Sequence, residues 1–217
     1  MAEAESLTLY TYFRSSAAFR VRIALNLKGL KARQVFVHLR RGEQSVTPFV
    51  ALNPQGLVPA LVHGSTTITQ SLAIIEYLEE RWSEPPLLPM ETASRARSRE
   101  IAYAIACDIH PINNLRVRNY LAGPLALGED EVLAWQAHWM KTGFAAIEAM
   151  IARAPGGRFS CGDTPSLADI CLIPQLANAR GAKMDLSPYP HLLAIEEAAY
   201  QLEAFSNAQP KNQPDAE

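Results

Sequence analysis

The sequence predicts an α/β domain followed by an all-α domain. Three observations carry that expectation. Strand-like alternation and helix-like spacing take turns through the first part of the chain, a proline cluster then interrupts every periodicity, and beyond it apolar residues recur at helical intervals. At 217 residues the chain can bury a substantial core, as one large domain or two small ones.

Leu7-Thr8-Leu9-Tyr10-Thr11-Tyr12 alternates in the β manner and predicts a strand over 7–12. Ala17, Val21, Ala24 and Leu25 fall at i, i+4, i+7 and i+8, which predicts a helix over 16–28 with Gly29 as its stop. Strands are expected over 32–39, 59–63 and 66–69, the last two joined by a hairpin turn at Gly64-Ser65, and a helix over 71–81. The first two strands flank a helix, so they should be parallel with a right-handed crossover. Three prolines in Ser83-Glu84-Pro85-Pro86-Leu87-Leu88-Pro89 can continue neither a helix nor a central strand, which makes 83–92 a linker between a domain over 1–82 and one over 93–206. Ile101, Ala104, Ile105 and Ile109 keep helical spacing up to a break at Pro111, and Leu133 to Ile151 forms another amphipathic stretch. Ser166-Leu167-Ala168-Asp169 is an S-x-x-D capping box ahead of a buried apolar helix. Residues 207–217, rich in Pro, Gln and Asn, read as a disordered tail.

A net charge of −2 gives no general pull toward nucleic acid or an anionic membrane. No run of about 18 apolar residues suggests a membrane span. The acidic start Met1-Ala2-Glu3-Ala4-Glu5-Ser6 is not the pattern of a secretory signal. Cys107, Cys161 and Cys171 form no C-x-x-C pair and lack metal-ligand spacing, so no metal is expected, and a reducing cytoplasm fits this usage.

Chemistry concentrates where the first strand hands over to the first helix, in Phe13-Arg14-Ser15-Ser16-Ala17. Free N–H groups and the positive end of the macrodipole favour an anion at a helix start, and a hydroxyl can donate one more hydrogen bond to it. A serine there also has an ordinary use as an N-cap that satisfies its own backbone.

Two further segments accompany it: Asn53-Pro54-Gln55-Gly56-Leu57-Val58-Pro59-Ala60-Leu61 before a strand, and Thr69-Gln70-Ser71-Leu72 at a helix start. Together, in this order and spacing, the three motifs resemble the thioredoxin-like domain of glutathione transferases, and the first resembles that of the zeta class. The resemblance covers nearly the whole chain and implies the glutathione transferase fold, a thioredoxin-like domain followed by an all-helical one. It implies glutathione as cofactor, a homodimer, and no nucleic acid or membrane partner. Ser15 is then the principal donor to the thiolate with Ser16 second, and Arg14 assists. Val58 and a cis Pro59 pair with the cysteinyl backbone, Gln70 and Ser71 receive the γ-glutamyl carboxylate, and Gln44 meets the glycyl end.

The implied reaction is cis–trans isomerisation of a small dicarboxylate ene-dione, maleylacetoacetate to fumarylacetoacetate in aromatic catabolism, with maleylpyruvate as the alternative. Arg14, His110, Asn114 and Arg116 match the substrate-binding pattern of such isomerases, His110 and Asn114 sharing one face if the helix runs through Pro111. Two positions depart from it. Ala17 replaces the cysteine of the Ser-Ser-Cys motif, which removes any chemistry that depends on that thiol. Gly181 stands where a carboxylate-binding arginine is expected; either Arg180, one residue earlier, substitutes through a shifted register or the substrate clamp differs. A general conjugating transferase or dehalogenase, and a non-catalytic binding module on the same fold, remain the other readings.

Overall fold

The computed structural model describes residues 6–153 and 157–217, so all but Ser6 of the acidic N-terminal segment lies outside the described residues. The chain divides into two compact units, one running to Leu87 and including Gln201–Glu217, the other Leu88–Tyr200.

In the first unit the elements run β1 (Leu7–Thr11), α1 (Ser16–Leu27), β2 (Ala32–Phe36), α2 (Thr47–Leu52), β3 (Ala60–His63), β4 (Thr66–Thr69) and α3 (Ser71–Arg81). The sheet order is β2-β1-β3-β4, with β1 parallel to β2 and antiparallel to β3, and β3 antiparallel to β4. This is a thioredoxin-like α/β layer. β2 stops short of residue 39 because His38 turns the chain: its ring accepts the Arg41 N–H at 3.2 Å, opening a 3₁₀ turn that Gly42 closes at φ +76°. α2 lies between the expected strands over 32–39 and 59–63, where no element was expected; Pro48 sits in its first turn, where a missing N–H costs nothing, and Phe49 buries its inner face.

α1 is buried on nearly every side, Arg20 and Arg22 included. Lys28 at its end is also buried; its Nζ donates to Glu79 Oε2 (2.7 Å) and to the carbonyls of Trp82 (2.6 Å) and Pro85 (2.8 Å). The same Glu79 oxygen accepts the Leu87 N–H at 2.9 Å, so one ion pair joins α1, α3 and the proline segment.

Residues 207–217 are not a disordered tail, and the helical domain does not extend to 206. The chain returns to the first unit after Tyr200, where α10 (Glu203–Ser206) packs on α1. The Asn26 amide donates to the Ala204 carbonyl at 3.0 Å, and Arg22 Nε donates to the Ala208 carbonyl at 3.1 Å. Gln213, itself buried, folds the last turn by donating to the carbonyls of Asn207 and Gln209, both at 2.9 Å. A polar composition reads as disorder only when its groups have no structural partners, and these have them.

The second unit holds α4 (Thr92–Tyr103), a π-helical turn (Ala104–Ile109), α5 (His110–Asn113), α6 (Leu115–Ala122), α7 (Glu129–Ala152), α8 (Leu167–Gly181) and α9 (Pro190–Tyr200). α8 forms its centre, with Leu167 through Leu176 all buried. The Asp169 carboxylate is fully buried at its start, accepting the Ser160 N–H (2.9 Å), the Ser166 N–H (2.7 Å) and the Ser166 hydroxyl (3.1 Å). Burial pushes the Asp169 carboxyl above the ordinary range, and the hydrogen bonds from Ser160 and Ser166 pull it partly back. Ser98 of α4 continues the network to the Ser166 hydroxyl and the Ala168 N–H. Removing the shared acceptor strands two buried N–H groups, so Asp169→Ala should lower the unfolding free energy by about 3 kcal/mol or more, and Asp169→Asn, which keeps one acceptor, by less. Urea denaturation of the two variants measures the difference.

Candidate functional site

The sheet register brings the three motif segments to one end of the first unit. Tyr10 of β1 pairs with Ala60 of β3, and Ala60 pairs with Thr69 of β4. The exit of β1, the entry to β3 and the exit of β4 therefore lie side by side, and these are residues 12–16, 53–59 and 70–71. A cluster of Tyr12, Phe13, Val37, Phe49 and Val58 packs beneath the first two segments.

Ser15 is the N-cap of α1: its Oγ accepts the Ala18 N–H at 3.1 Å. The ordinary capping role is thus real, and because it uses only an acceptor lone pair it leaves the O–H as a donor for a ligand. Ser16 is the first helical residue and buried, whereas Ser15 is half-exposed, which favours Ser15 as the group that meets a ligand. Arg14 is exposed, its guanidinium 5.0 Å from the Phe13 ring centroid.

Asn53 shapes the turn before Val58. Its Nδ2 donates to the Leu57 carbonyl (2.6 Å) and its Oδ1 accepts the Gln55 N–H (3.1 Å), while Gly56 adopts φ +61° against the Gln44 backbone. Val58 then enters a cis bond to Pro59 and stands outside the ladder of β3. Gln44 is half-buried, and its Oε1 is buried without a hydrogen-bond partner. Gln70 carries φ +71°, a conformation that costs a residue with a side chain about 1–3 kcal/mol and marks functional turns. Its amide donates to Gln55 Oε1 at 2.7 Å, tying the second segment to the third. Ser71 is buried and its Oγ accepts from Arg20 Nη1 at 3.2 Å, which again leaves the hydroxyl proton free to donate. The Gln70 side chain makes no capping hydrogen bond to α3, so the first-turn N–H groups keep their capacity for an anion.

In the second unit the structure changes the reading of Asn114 and of Arg180. His110 opens α5, but Asn114 does not share a helical face with it: the chain leaves the helix at Asn114 (φ −76°, ψ 170°), and Asn114 Oδ1 caps α6 by accepting the N–H groups of Arg116 (3.1 Å) and Val117 (3.4 Å). Arg116 is exposed on the first turn of α6. Arg180 is not a free substitute for the missing arginine. Its guanidinium grips the Glu196 carboxylate through Nε (3.2 Å) and Nη2, a pairing of α8 with α9.

What sets the segment around His110 has no local signal in the sequence. A Cβ on Gly143 of α7 would come 2.2 Å from Ile109 Cδ1, so the Ile109 side chain of the π-helical turn fills the space that the glycine leaves on α7. Trp135, eight residues earlier on α7, donates its indole N–H to the Ile112 carbonyl at 2.9 Å. Because Arg180 is committed to Glu196, whose carboxylate is buried, Arg180→Ala should cost about 1–3 kcal/mol of stability by leaving that carboxylate without its partner. The same variant should leave turnover of an anionic substrate near that of the parent, and steady-state rates alongside thermal melting separate the two effects.

Family models for the glutathione S-transferase N-terminal domain and C-terminal domain match residues 5–80 and 134–198. The probable maleylacetoacetate isomerase of Vibrio cholerae is 46% identical over 97% of this chain and 99% of its own length. Among solved structures, the holo form of a bacterial maleylpyruvate isomerase, described as a zeta-class glutathione S-transferase, superposes with TM-score 0.95 at 46% identity over 97% of this chain and all of its own. The maleylacetoacetate isomerase of Anaeromyxobacter dehalogenans, solved with dicarboxyethyl glutathione and citrate in its active site, superposes with TM-score 0.88 at 40% identity over 99% of this chain and 96% of its own. Both halves of the chain and its full length match, and it belongs to the zeta class of the glutathione S-transferase family.

Proposed function

We propose that this protein is a glutathione-dependent cis–trans isomerase of a small maleyl dicarboxylate, with maleylacetoacetate the first candidate substrate and maleylpyruvate the second. The observation that carries the reading is Ser15: a helix N-cap whose oxygen is engaged by the Ala18 N–H and whose proton is left to donate. Both substrates stay in view because relatives of closely similar identity carry both names.

The residues present suit glutathione. Gln44 offers a buried acceptor without a partner, Val58 a backbone edge outside the β3 ladder, and Ser71 a hydroxyl donor beside the start of α3. Val58 would pair with an extended cysteinyl backbone as a one-residue strand addition, Pro59 framing its end. Ser71 and the α3 N–H groups would receive the γ-glutamyl carboxylate, Gln70 holding the turn through Gln55. When bound, glutathione would supply a thiol whose anion adds to the cis double bond and leaves once the bond has rotated.

The chain's own contribution is electrostatic. Ser15, supported by Ser16 and the start of α1, would hold the sulfur as an anion, which an unassisted thiol with a pKa of about 8.5 seldom is at neutral pH. Arg14 would stabilise the enolate as it develops, and Arg116 with His110 would hold the substrate carboxylates. Asn114 contributes by capping the turn that presents Arg116. Arg180 takes no part in this scheme. A cytoplasmic homodimer completes the reading, and no helix among the described residues is long and apolar enough to cross a membrane.

Isomerisation of both cis substrates, followed by the ultraviolet spectrum of the enolic dione with and without glutathione, tests the proposal; turnover independent of glutathione, or none at all, would refute it. Ser15→Asp keeps a good N-cap but replaces the donor by an anion, so it should melt near the parent temperature yet lose about a hundredfold or more in kcat. Arg14→Ala and Arg116→Ala should each cost about 1.5–3 kcal/mol, or about tenfold to a hundredfold, in turnover of the dicarboxylate. Both should conjugate a neutral electrophile at a rate close to the parent's, since a charge-assisted bond is lost only with an anionic substrate.

A further inference from the structure

We propose that Asp215, two residues from the C-terminal end, is a positioning residue for the Ser15 hydroxyl. The inference rests on the reading of Ser15 as donor and extends the working site to a segment with no place in the motifs. Its Oδ2 accepts the Phe13 N–H at 2.9 Å, across 202 residues of sequence.

That N–H needs an acceptor that no local element supplies. The ladder between β1 and β2 closes with the Val37 N–H on the Thr11 carbonyl, so Phe13 lies beyond it. The Ser15 N–H then turns back to the Tyr12 carbonyl at 3.0 Å, making Tyr12–Ser15 a four-residue turn in which Phe13 and Arg14 are the central residues. Phe13 is 4% exposed, so water is a poor substitute for a partner. Asp215 holds the turn by its N–H, and Arg22 holds it by its carbonyls, donating to those of Tyr12 (3.4 Å) and Phe13 (3.2 Å). Arg22 also donates to the Ala208 carbonyl, so the guanidinium binds the turn and the returning segment together.

The carboxylate is placed by its own neighbours. The Ala216 N–H donates to the Gln213 carbonyl at 3.0 Å, closing a turn around Asp215, and the Gln213 amide anchors that turn to Asn207 and Gln209. Glu217, just beyond, pairs instead with His38 and Arg41 at the surface. The two acidic side chains thus separate docking of the segment as a whole from support of the Phe13 peptide.

The test uses the full-length protein with Asp215→Ala, Asp215→Asn and Glu217→Ala, read by backbone amide NMR of Arg14, Ser15 and Ser16 and by steady-state isomerisation with glutathione as the varied substrate. Asp215→Ala should shift and broaden those amides and lower kcat by about tenfold or more, as small misplacements of a reacting group do, while KM for glutathione changes little. Asp215→Asn should restore most of both, since its amide oxygen still accepts the Phe13 N–H, and Glu217→Ala should match the parent. Unmoved amides in Asp215→Ala, or a lowered melting temperature with kcat intact in the folded protein, would overturn the proposal. Should the parent itself show no glutathione-dependent turnover, the functional reading fails, and the amide signals still decide whether Asp215 sets the turn.

Discussion

A buried guanidinium holds the working end of the first unit together. Arg22 is 3% exposed, and its donors reach the Thr11 hydroxyl and the carbonyls of Tyr12, Phe13 and Ala208. Removing a charge from water costs several kcal/mol unless its hydrogen bonds are replaced. Here four oxygens replace them, and Asp215 supplies the compensating charge. Burial still lowers the Arg22 pKa to about 10, well above neutrality, so the group stays charged under ordinary conditions. A short turn after a strand has few apolar contacts of its own; this one takes its shape from a side chain about two helical turns further on and from a segment at the far end of the chain.

Everything at that end of the sheet follows from holding the turn. Tyr12 and Phe13 anchor it to the cluster that also contains Val58, so the hydroxyl of Ser15 and the backbone edge of Val58 are placed by one set of packed side chains. Arg20, two residues before Arg22, ties α1 to Ser71, and Gln70 ties α3 back to the 53–57 turn. The three segments are therefore cross-braced by polar bonds over an apolar base, an arrangement suited to groups that must stay fixed while a ligand changes charge. The strained Gln70 backbone is held by its Gln55 partner and by α3 behind it.

Local signals were legible in the sequence, and long-range ones were not. Alternation from Leu7, the stripe through Val21 and Leu25, the Gly64-Ser65 turn and the Ser166–Asp169 box each depend on residues a few positions apart, and each reappears as an element or cap close to the expected place. Each of the three motifs is itself a short local pattern, and their order resembles a known family; that they meet at one sheet end comes from the strand register. The role of 207–217 was hidden, since nothing near Asp215 in sequence shows that the Phe13 N–H lacks a partner. The partner of Arg180 was hidden for the same reason: Glu196, sixteen residues away on another helix, receives its guanidinium. For Asn114 the error was geometric, because regular spacing was carried from His110 past the end of α5, where Asn114 leaves the helix to cap α6. Gly143 looked like any residue of an amphipathic helix until Ile109 was seen to fill the space of its missing side chain.

Fold and family place the chain among zeta-class glutathione transferases, and the chemistry rests on one electrostatic claim, that the turn at Ser15 holds a thiol as its anion. Titrating the thiolate absorbance of glutathione bound to the protein addresses that claim without any substrate. The bound thiol should ionise well below the value of about 8.5 for a free one. A bound thiol that titrates at the free value would contradict it, and would leave Ser15 with the capping of α1 as its whole function.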